Sequence, residues 1–197
     1  VHPLWLPLAA VLLYGAAVAR HYALAARERQ RVTHTFERYV APQIVREILK
    51  EGADSLRLGG DTCEIAVLFV DIRGFTAMSE RLPPERVVGI LNQYLAMTSA
   101  CVEEHGGTLD KYVGDATMAF WGAPLKDSDP VFHAAQTAMD IVSGADALSA
   151  RLQSELGEEL RVGVGIHFGP AVVGNMGSER RMDYTAIGDT VNTAARL

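Results

Sequence analysis

The feature that most constrains this chain is an unbroken apolar run, Ile65-Ala66-Val67-Leu68-Phe69-Val70, that ends on a carboxylate, Asp71. A run this short, rich in β-branched and aromatic residues and bounded by polar ones, reads as a strand buried on both faces. It delivers Asp71 to the strand's end, where desolvating a charge is costly without a partner. Gly74 follows, able to let the backbone approach a ligand closely, and Phe75-Thr76 open a helix. A carboxylate beside a bend and a helix N-terminus suits a metal ion carrying phosphates, and it equally suits a side chain that caps the next turn.

The sequence has 197 residues, room for one ordinary domain and an appendage, and 49% of them are hydrophobic, enough for a sizeable core. A net charge of −6 argues against nucleic acid as a partner. Cys63 and Cys101 are the only cysteines and lack metal-type spacing, so they read as reduced core residues. A start at Val1 rather than Met, and a stop at Leu197 inside an apparent helix, make a fragment the expectation.

Residues 1–19 read as the end of a membrane helix. Pro3–Ala19 is uncharged and rich in Leu, Ala and Val, close to the about 20 residues that a bilayer core of ~30 Å requires. Arg20, Arg27, Arg29 and Arg31 follow, with Glu28 the one nearby acid, the bias of a cytoplasmic flank. No positive region precedes the span and no clear cleavage site follows, so a signal peptide fits less well, and a buried core helix is the other reading. Residues 20–61 read as a cytoplasmic helical linker with a break near Ala41-Pro42 and an apolar stripe at Ile44, Val45, Ile48 and Leu49. A Gly- and charge-containing stretch, Glu51–Asp61, completes it. Such a linker could transmit motion or serve as a tether.

Beyond the opening strand, Pro83-Pro84 start a helix with Val87, Ile90, Leu91, Tyr94, Thr98 and Val102 on one face, and Gly106-Gly107 end it. Thr108–Val113 and Ala116–Trp121 read as strands joined by a Gly114-Asp115 turn. A second long helix begins at Asp129, Leu160–Phe168 is another strand, and Ala171–Val173 one more. Strand, helix, hairpin, helix, strand is an α+β, ferredoxin-like plan: an antiparallel sheet with helices on one face.

Several residues on this plan carry chemistry. If the hairpin's first strand lies beside the strand ending in Asp71, then Asp115 and Asp71 meet at one sheet edge, a pair of hard oxygen ligands suited to Mg²⁺ or Mn²⁺ bound with nucleotide phosphates. Taken singly, a Gly-Asp pair is an ordinary turn. Asn192 and Arg196 are spaced i, i+4 on an expected helix and share a face, where Arg suits phosphate and Asn a ribose; a plain polar face has the same spacing. Lys111 sits on the first hairpin strand, where a lysine normally faces solvent. Arg180 and Arg181 form a basic pair in a Gly-flanked loop that could meet polyphosphate.

Together these residues resemble the catalytic domain of class III adenylate and guanylate cyclases, over roughly Cys63 to Leu197. The matching segments are FVDIRGFT (Phe69–Thr76), DKYVGDATMAFWG (Asp110–Gly122), GVGIHFGPAVVGNMG (Gly163–Gly177) and DYTAIGDTVNTAAR (Asp183–Arg196). FERYVAPQIV (Phe36–Val45) also resembles the segment joining bacterial membrane sensors to cyclase domains.

The resemblance implies a class III nucleotidyl cyclase fold over residues 62–197, truncated at its C-terminus because the family domain continues with further strands and a polyphosphate-binding Lys. It implies two divalent ions per site, Mg²⁺ or Mn²⁺, held by Asp71, Asp115 and the Ile72 carbonyl. Backbone N–H groups around Gly74, Phe75 and Thr76, with Arg180 or Arg181, would take the terminal phosphates. Lys111 and Thr185 would read adenine, Asn192 would orient the ribose, and Arg196 would stabilise the pentavalent phosphorus. Many members carry Asp where this chain has Thr185; a Lys/Thr pair occurs in one bacterial subgroup and still favours adenine. Each site is shared across a head-to-tail homodimer. The implied protein is an adenylate cyclase acting on ATP, anchored in the cell (inner) membrane with its catalytic domain in the cytoplasm. A catalytically silent dimerising domain and a guanylate cyclase are the alternatives, and no GGDEF-like hairpin points to a diguanylate cyclase.

Overall fold

The structure is a computed structural model that describes residues 5–36, 40–51 and 57–197. Pro3, residues 37–39 of the Phe36–Val45 segment and residues 52–56 of the expected linker lie outside the described residues. The chain divides into two compact units, Val1–Val45 and Arg46–Leu197.

In the first unit, helix α1 (Trp5–Phe36) includes Leu8–Glu28, 21 residues long and apolar enough to cross a membrane. At ~1.5 Å per residue this stretch matches a bilayer core of ~30 Å. It runs past Ala19, taking in Arg20. Helix α2 (Pro42–Glu51) starts at its proline as expected: the Ala41 carbonyl accepts the N–H groups of Ile44 (2.9 Å) and Val45 (3.2 Å).

In the second unit, strand β1 (Gly59–Ile72) is the centre of a five-stranded sheet ordered β2-β3-β1-β4-β5. Its companions are β2 (Thr108–Val113), β3 (Ala116–Trp121), β4 (Val162–Ser178) and β5 (Arg181–Ile187), and every pairing is antiparallel. The apolar run divides by alternation. Ala66, Leu68, Val70 and Ile72 join one buried cluster with α4 (Pro84–Glu104) and α5 (Pro130–Leu156), while Ile65 and Val67 join a second with Met118, Phe120, Val173, Ala186 and Ala194. Both faces of β1 are therefore covered, as a continuous hydrophobic run implies.

The long helices begin and end where local chemistry requires. Pro84 sits in the first turn of α4, and Ile90, Tyr94, Thr98 and Val102 bury one stripe. Asp129 caps α5 by accepting the Phe132 N–H, and Gly157 (φ 70°) closes it. A short α3 (Phe75–Arg81) precedes α4, and a short α6 (Asp189–Ala194) lies on the sheet face opposite α4 and α5.

Three strand boundaries differ from the sequence reading. β1 begins at Gly59, because residues 59–64 pair with β4 before the apolar run starts. The segments read as separate strands at Leu160–Phe168 and Ala171–Val173 are one strand that runs through Gly169-Pro170. Pro170 is tolerated because β5 pairs only with Val172–Ser178, so the flank beside the proline carries no ladder, and the Pro170 carbonyl accepts the Thr190 hydroxyl at 2.6 Å instead. Arg181 belongs to β5 rather than to a loop, and a tight turn at Glu179-Arg180 joins it to β4.

Candidate active site

The hairpin turn between β2 and β3 places the first pair of groups. Gly114 takes φ 66°, a conformation natural to glycine, and Asp115 follows it. The Asp115 carboxylate reaches the end of β1, where Oδ2 accepts the Ile72 N–H at 3.1 Å. Asp71 is the penultimate residue of that strand and is exposed. Asp115 is thus brought to the end of β1 that carries Asp71, but by the hairpin's second strand: β3 pairs with β1, and the first strand, β2, lies outside it rather than beside β1 as the sequence reading supposed.

Beneath them lies a group that the sequence reading took only as part of an apolar stripe. Tyr94 of α4 is fully buried, yet its hydroxyl has no hydrogen-bond partner. Burial, and then the negative fields of Asp115 and Asp71, push its phenol well above the ordinary value. The Tyr94 phenol thus lies within electrostatic reach of both carboxylates. The groups that would hold a metal here, Asp71, Asp115 and the Ile72 carbonyl, offer hard oxygen only. Among the described residues no group of three or more His, Cys, Asp or Glu could hold a metal ion alone. These residues fit a small divalent ion that takes its remaining ligands from substrate or water, as Mg²⁺ does.

A second constellation forms where the sheet curls and its edges meet. β2 carries a register shift between Leu109 and Lys111, so Asp110 is the extra, bulged residue. The bulge lets consecutive side chains approach: Asp110 Oδ1 lies 3.4 Å from the Lys111 ammonium. Its other oxygen, Oδ2, accepts the Thr185 hydroxyl of β5 at 2.5 Å. The Asp110 side chain is 1% exposed and that of Lys111 38%. Burial pushes the Asp110 carboxyl above the ordinary carboxylate range, opposed by the Thr185 hydroxyl and the Lys111 charge. Lys111 and Thr185 thus share one partner, and that partner was not among the residues picked out from the sequence. An acid beside a strand lysine was the available signal, but the bulge that turns it inward was not legible.

The third group rides on α6. That helix packs close to β4 because Gly165 and Gly169 present no side chain there: an added Cβ at Gly165 would lie 2.3 Å from the Ala194 carbonyl oxygen, and one at Gly169 2.9 Å from Thr190 Oγ1. Asn192 is on α6 and exposed. The helix stops at Ala194, and Arg196 lies just beyond it, its N–H donating to the Thr193 carbonyl at 3.0 Å. A tightened last turn therefore removes the regular i, i+4 relation expected for Asn192 and Arg196.

At the start of α3, Gly74 takes φ 75° and no side chain caps the helix, so the first N–H groups, among them those of Phe75 and Thr76, are not claimed by a cap. Arg180 and Arg181 are exposed at the β4–β5 turn. Among the described residues, no hydrogen bond or ion pair joins Asp71 or Asp115 to Lys111, Thr185, Asn192 or Arg196.

Residues 60–197 match the model of the family described as "Adenylate and Guanylate cyclase catalytic domain". Adenylate cyclase 1 of Rhizobium meliloti (strain 1021) is 38% identical over 166 residues, covering 83% of this chain and 24% of that protein. The adenylate cyclase of Anabaena cylindrica is 38% identical over 167 residues, covering 83% of this chain and 32% of that protein. The chain thus spans between a quarter and a third of the length of these relatives. Among solved structures, the adenylyl cyclase CyaB from P. aeruginosa superposes with a TM-score of 0.68 at 36% identity, covering 71% of this chain and 72% of that one. The guanylyl cyclase Cya2 superposes with a TM-score of 0.67 at 37% identity, covering 71% of each. A match over most of the chain, residues 60–197, identifies it as a member of the class III adenylate and guanylate cyclase catalytic-domain family.

Proposed function

We propose that this cyclase domain belongs to an adenylate cyclase, converting ATP to 3′,5′-cyclic AMP and pyrophosphate. The observation that carries the reading is the junction of Asp115 with the end of β1, which gathers a hard-oxygen donor set beside Asp71. Asp71, Asp115 and the Ile72 carbonyl would hold two divalent ions, Mg²⁺ or Mn²⁺. Such ions, when bound, lower the pKa of the ribose 3′-hydroxyl and neutralise the triphosphate.

The chain's own residues supply positioning and charge. The uncapped N–H groups at Gly74, Phe75 and Thr76, with Arg180 or Arg181, receive the terminal phosphates. Asn192 orients the ribose so that O3′ lies in line with the α-phosphate, and Arg196 offsets the charge that builds on the phosphorus as pyrophosphate leaves. Lys111 and Thr185 read the base, the ammonium donating to a ring nitrogen and the hydroxyl oxygen accepting from the exocyclic amine of adenine.

Since, among the described residues, no hydrogen bond or ion pair joins Asp71 or Asp115 to Lys111, Thr185, Asn192 or Arg196 within one chain, we assign each complete site to a head-to-tail homodimer. The same reading makes the apolar part of α1 up to Ala19 the membrane anchor, inside the candidate span Leu8–Glu28, with residues 20–61 a linker and residues 62–197 a cytoplasmic catalytic domain. The kinship with Cya2, a guanylyl cyclase, makes base choice the point to test. In the full-length protein with Mn²⁺, kcat/KM for ATP should exceed that for GTP by at least about a hundredfold, because a site built around one base leaves buried groups unpaired with the other. Lys111→Glu should lose ATP turnover. Comparable kcat/KM for the two nucleotides in the unaltered protein refutes the adenylate reading.

A further inference from the structure

We infer that Asp110 is a specificity-determining positioning residue: by accepting the hydrogen bond of the Thr185 hydroxyl, it leaves the Thr185 oxygen only lone pairs to offer and so selects a base that presents an amine. The inference rests on the adenylate reading above. It begins from an isolated threonine, which selects nothing. A hydroxyl has one proton and two lone pairs, and it rotates to donate to a carbonyl as readily as it accepts from an amine. Thr185 alone therefore cannot tell the exocyclic amine of adenine from the carbonyl that guanine carries at the same ring position.

Asp110 removes that freedom. A carboxylate only accepts, so the bond from Thr185 Oγ1 to Asp110 Oδ2 fixes the direction of the hydroxyl. What Thr185 then turns to a base is lone-pair density, which pairs with an amine and repels a carbonyl. The surroundings hold the arrangement in place. Asp110 projects inward only because it is the bulged residue of β2, its side chain is 1% exposed, and Thr185 is itself 7% exposed, so water does not compete for the bond.

The same carboxylate accounts for its second neighbour. Asp110 Oδ1 is buried without a hydrogen-bond partner and stands 3.4 Å from the Lys111 ammonium. The attraction holds a flexible four-carbon side chain towards the Thr185 side of the strand. One buried acid thus orders both groups that would read the base.

The experiment uses the full-length protein, with Asp110→Asn, Thr185→Ala and the double variant. kcat/KM is measured for ATP and for GTP, and melting temperature is recorded for each protein. Asn offers an N–H as well as a carbonyl, so the Thr185 proton is no longer committed. The ATP-to-GTP ratio should fall by about tenfold or more in Asp110→Asn. In the Thr185→Ala background the same change should move the ratio by less than about twofold, because the group through which Asp110 acts is gone. Asp110→Ala, which leaves nothing for the hydroxyl to bond, is the second variant and should shift the ratio in the same direction. An ATP-selective wild type whose ratio survives both Asp110 variants, or falls equally with and without Thr185, overturns the assignment and leaves the adenylate reading standing. Failure of both variants to fold makes Asp110 a clamp between β2 and β5 and overturns it too. A wild type without preference for ATP refutes the adenylate reading itself.

Discussion

Replacing Gly165 with alanine tests whether the close approach of α6 to β4 sets the geometry of Asn192 and Arg196. The new Cβ would sit 2.3 Å from the Ala194 carbonyl oxygen and 3.1 Å from the Leu197 Cβ, the first roughly 1 Å inside ordinary contact. Neither neighbour can rotate away: one is backbone and the other is a Cβ. The helix is also pinned at its start, where Thr190 donates to the Pro170 carbonyl at 2.6 Å, and at its end by Ala194, which is 1% exposed. Relief must therefore come from tilting α6, which moves its C-terminal end most and carries Asn192 and Arg196 with it. Overpacking of this kind costs about 1–3 kcal/mol. At about 2–4 °C per kcal/mol for a domain of this size, the melting temperature should fall by roughly 2–12 °C. If Asn192 orients the ribose and Arg196 offsets charge on the phosphorus, as proposed, a displacement near 1 Å should lower kcat by on the order of 10²-fold. The assay is cyclic AMP formation by the full-length protein with Mn²⁺, read beside a thermal melt. Gly89→Ala on α4 is the control: an added Cβ there meets nothing within 4 Å, so it should keep full activity and gain up to about 1 kcal/mol of helix propensity. Gly165→Ala with kcat within about threefold of wild type and an unchanged melt would refute the reasoning.

Two further predictions concern the carboxylates. Asp71→Ala and Asp115→Ala should each reduce turnover below about a tenth of wild type with circular dichroism nearly unchanged, because both residues stand at strand or turn ends outside the core. For Asp110, burial raises the folded-state pKa above the unfolded value, so the fold keeps that proton to higher pH than the unfolded chain does. The contribution of Asp110 to stability should then be fully present below the ordinary carboxylate range near about pH 4 and be lost as pH rises through the folded value; the difference in urea midpoint between wild type and Asp110→Asn should change across that range in the sense that wild type loses ground as pH rises.

Much of this architecture was legible in the sequence because its signals are local. The Ile65–Val70 run, the Gly114-Asp115 turn between alternating segments, the proline start of α4 and the start of α5 at Asp129 each depend on a few neighbouring residues, and the structure has them where expected. What could not be read depends on partners far along the chain. β5 mixes polar and apolar residues, Arg-Met-Asp-Tyr-Thr-Ala-Ile, and becomes a strand by pairing with the second half of β4. Gly169-Pro170 looks like a break and is passed over only because no strand flanks it on that side. The site divides the same way. Asp71 and Asp115 stood out as strand-end and turn acids, whereas Asp110 and Tyr94 matter through a bulge and a burial that no local pattern announces.

The central claim is that metal-holding and substrate-reading residues of one site come from two chains, and mixing inactive variants tests it most directly. Asp71→Ala and Asn192→Ala each spoil both sites of a homodimer. A heterodimer of the two has one site with both lesions and one with neither. Random exchange makes about half of the dimers mixed, so cyclic AMP formation should recover to about a quarter of the wild-type rate. Exchange is checked by pulling down one tag and detecting the other. Confirmed exchange with activity still at the level of the separate variants would contradict the shared site.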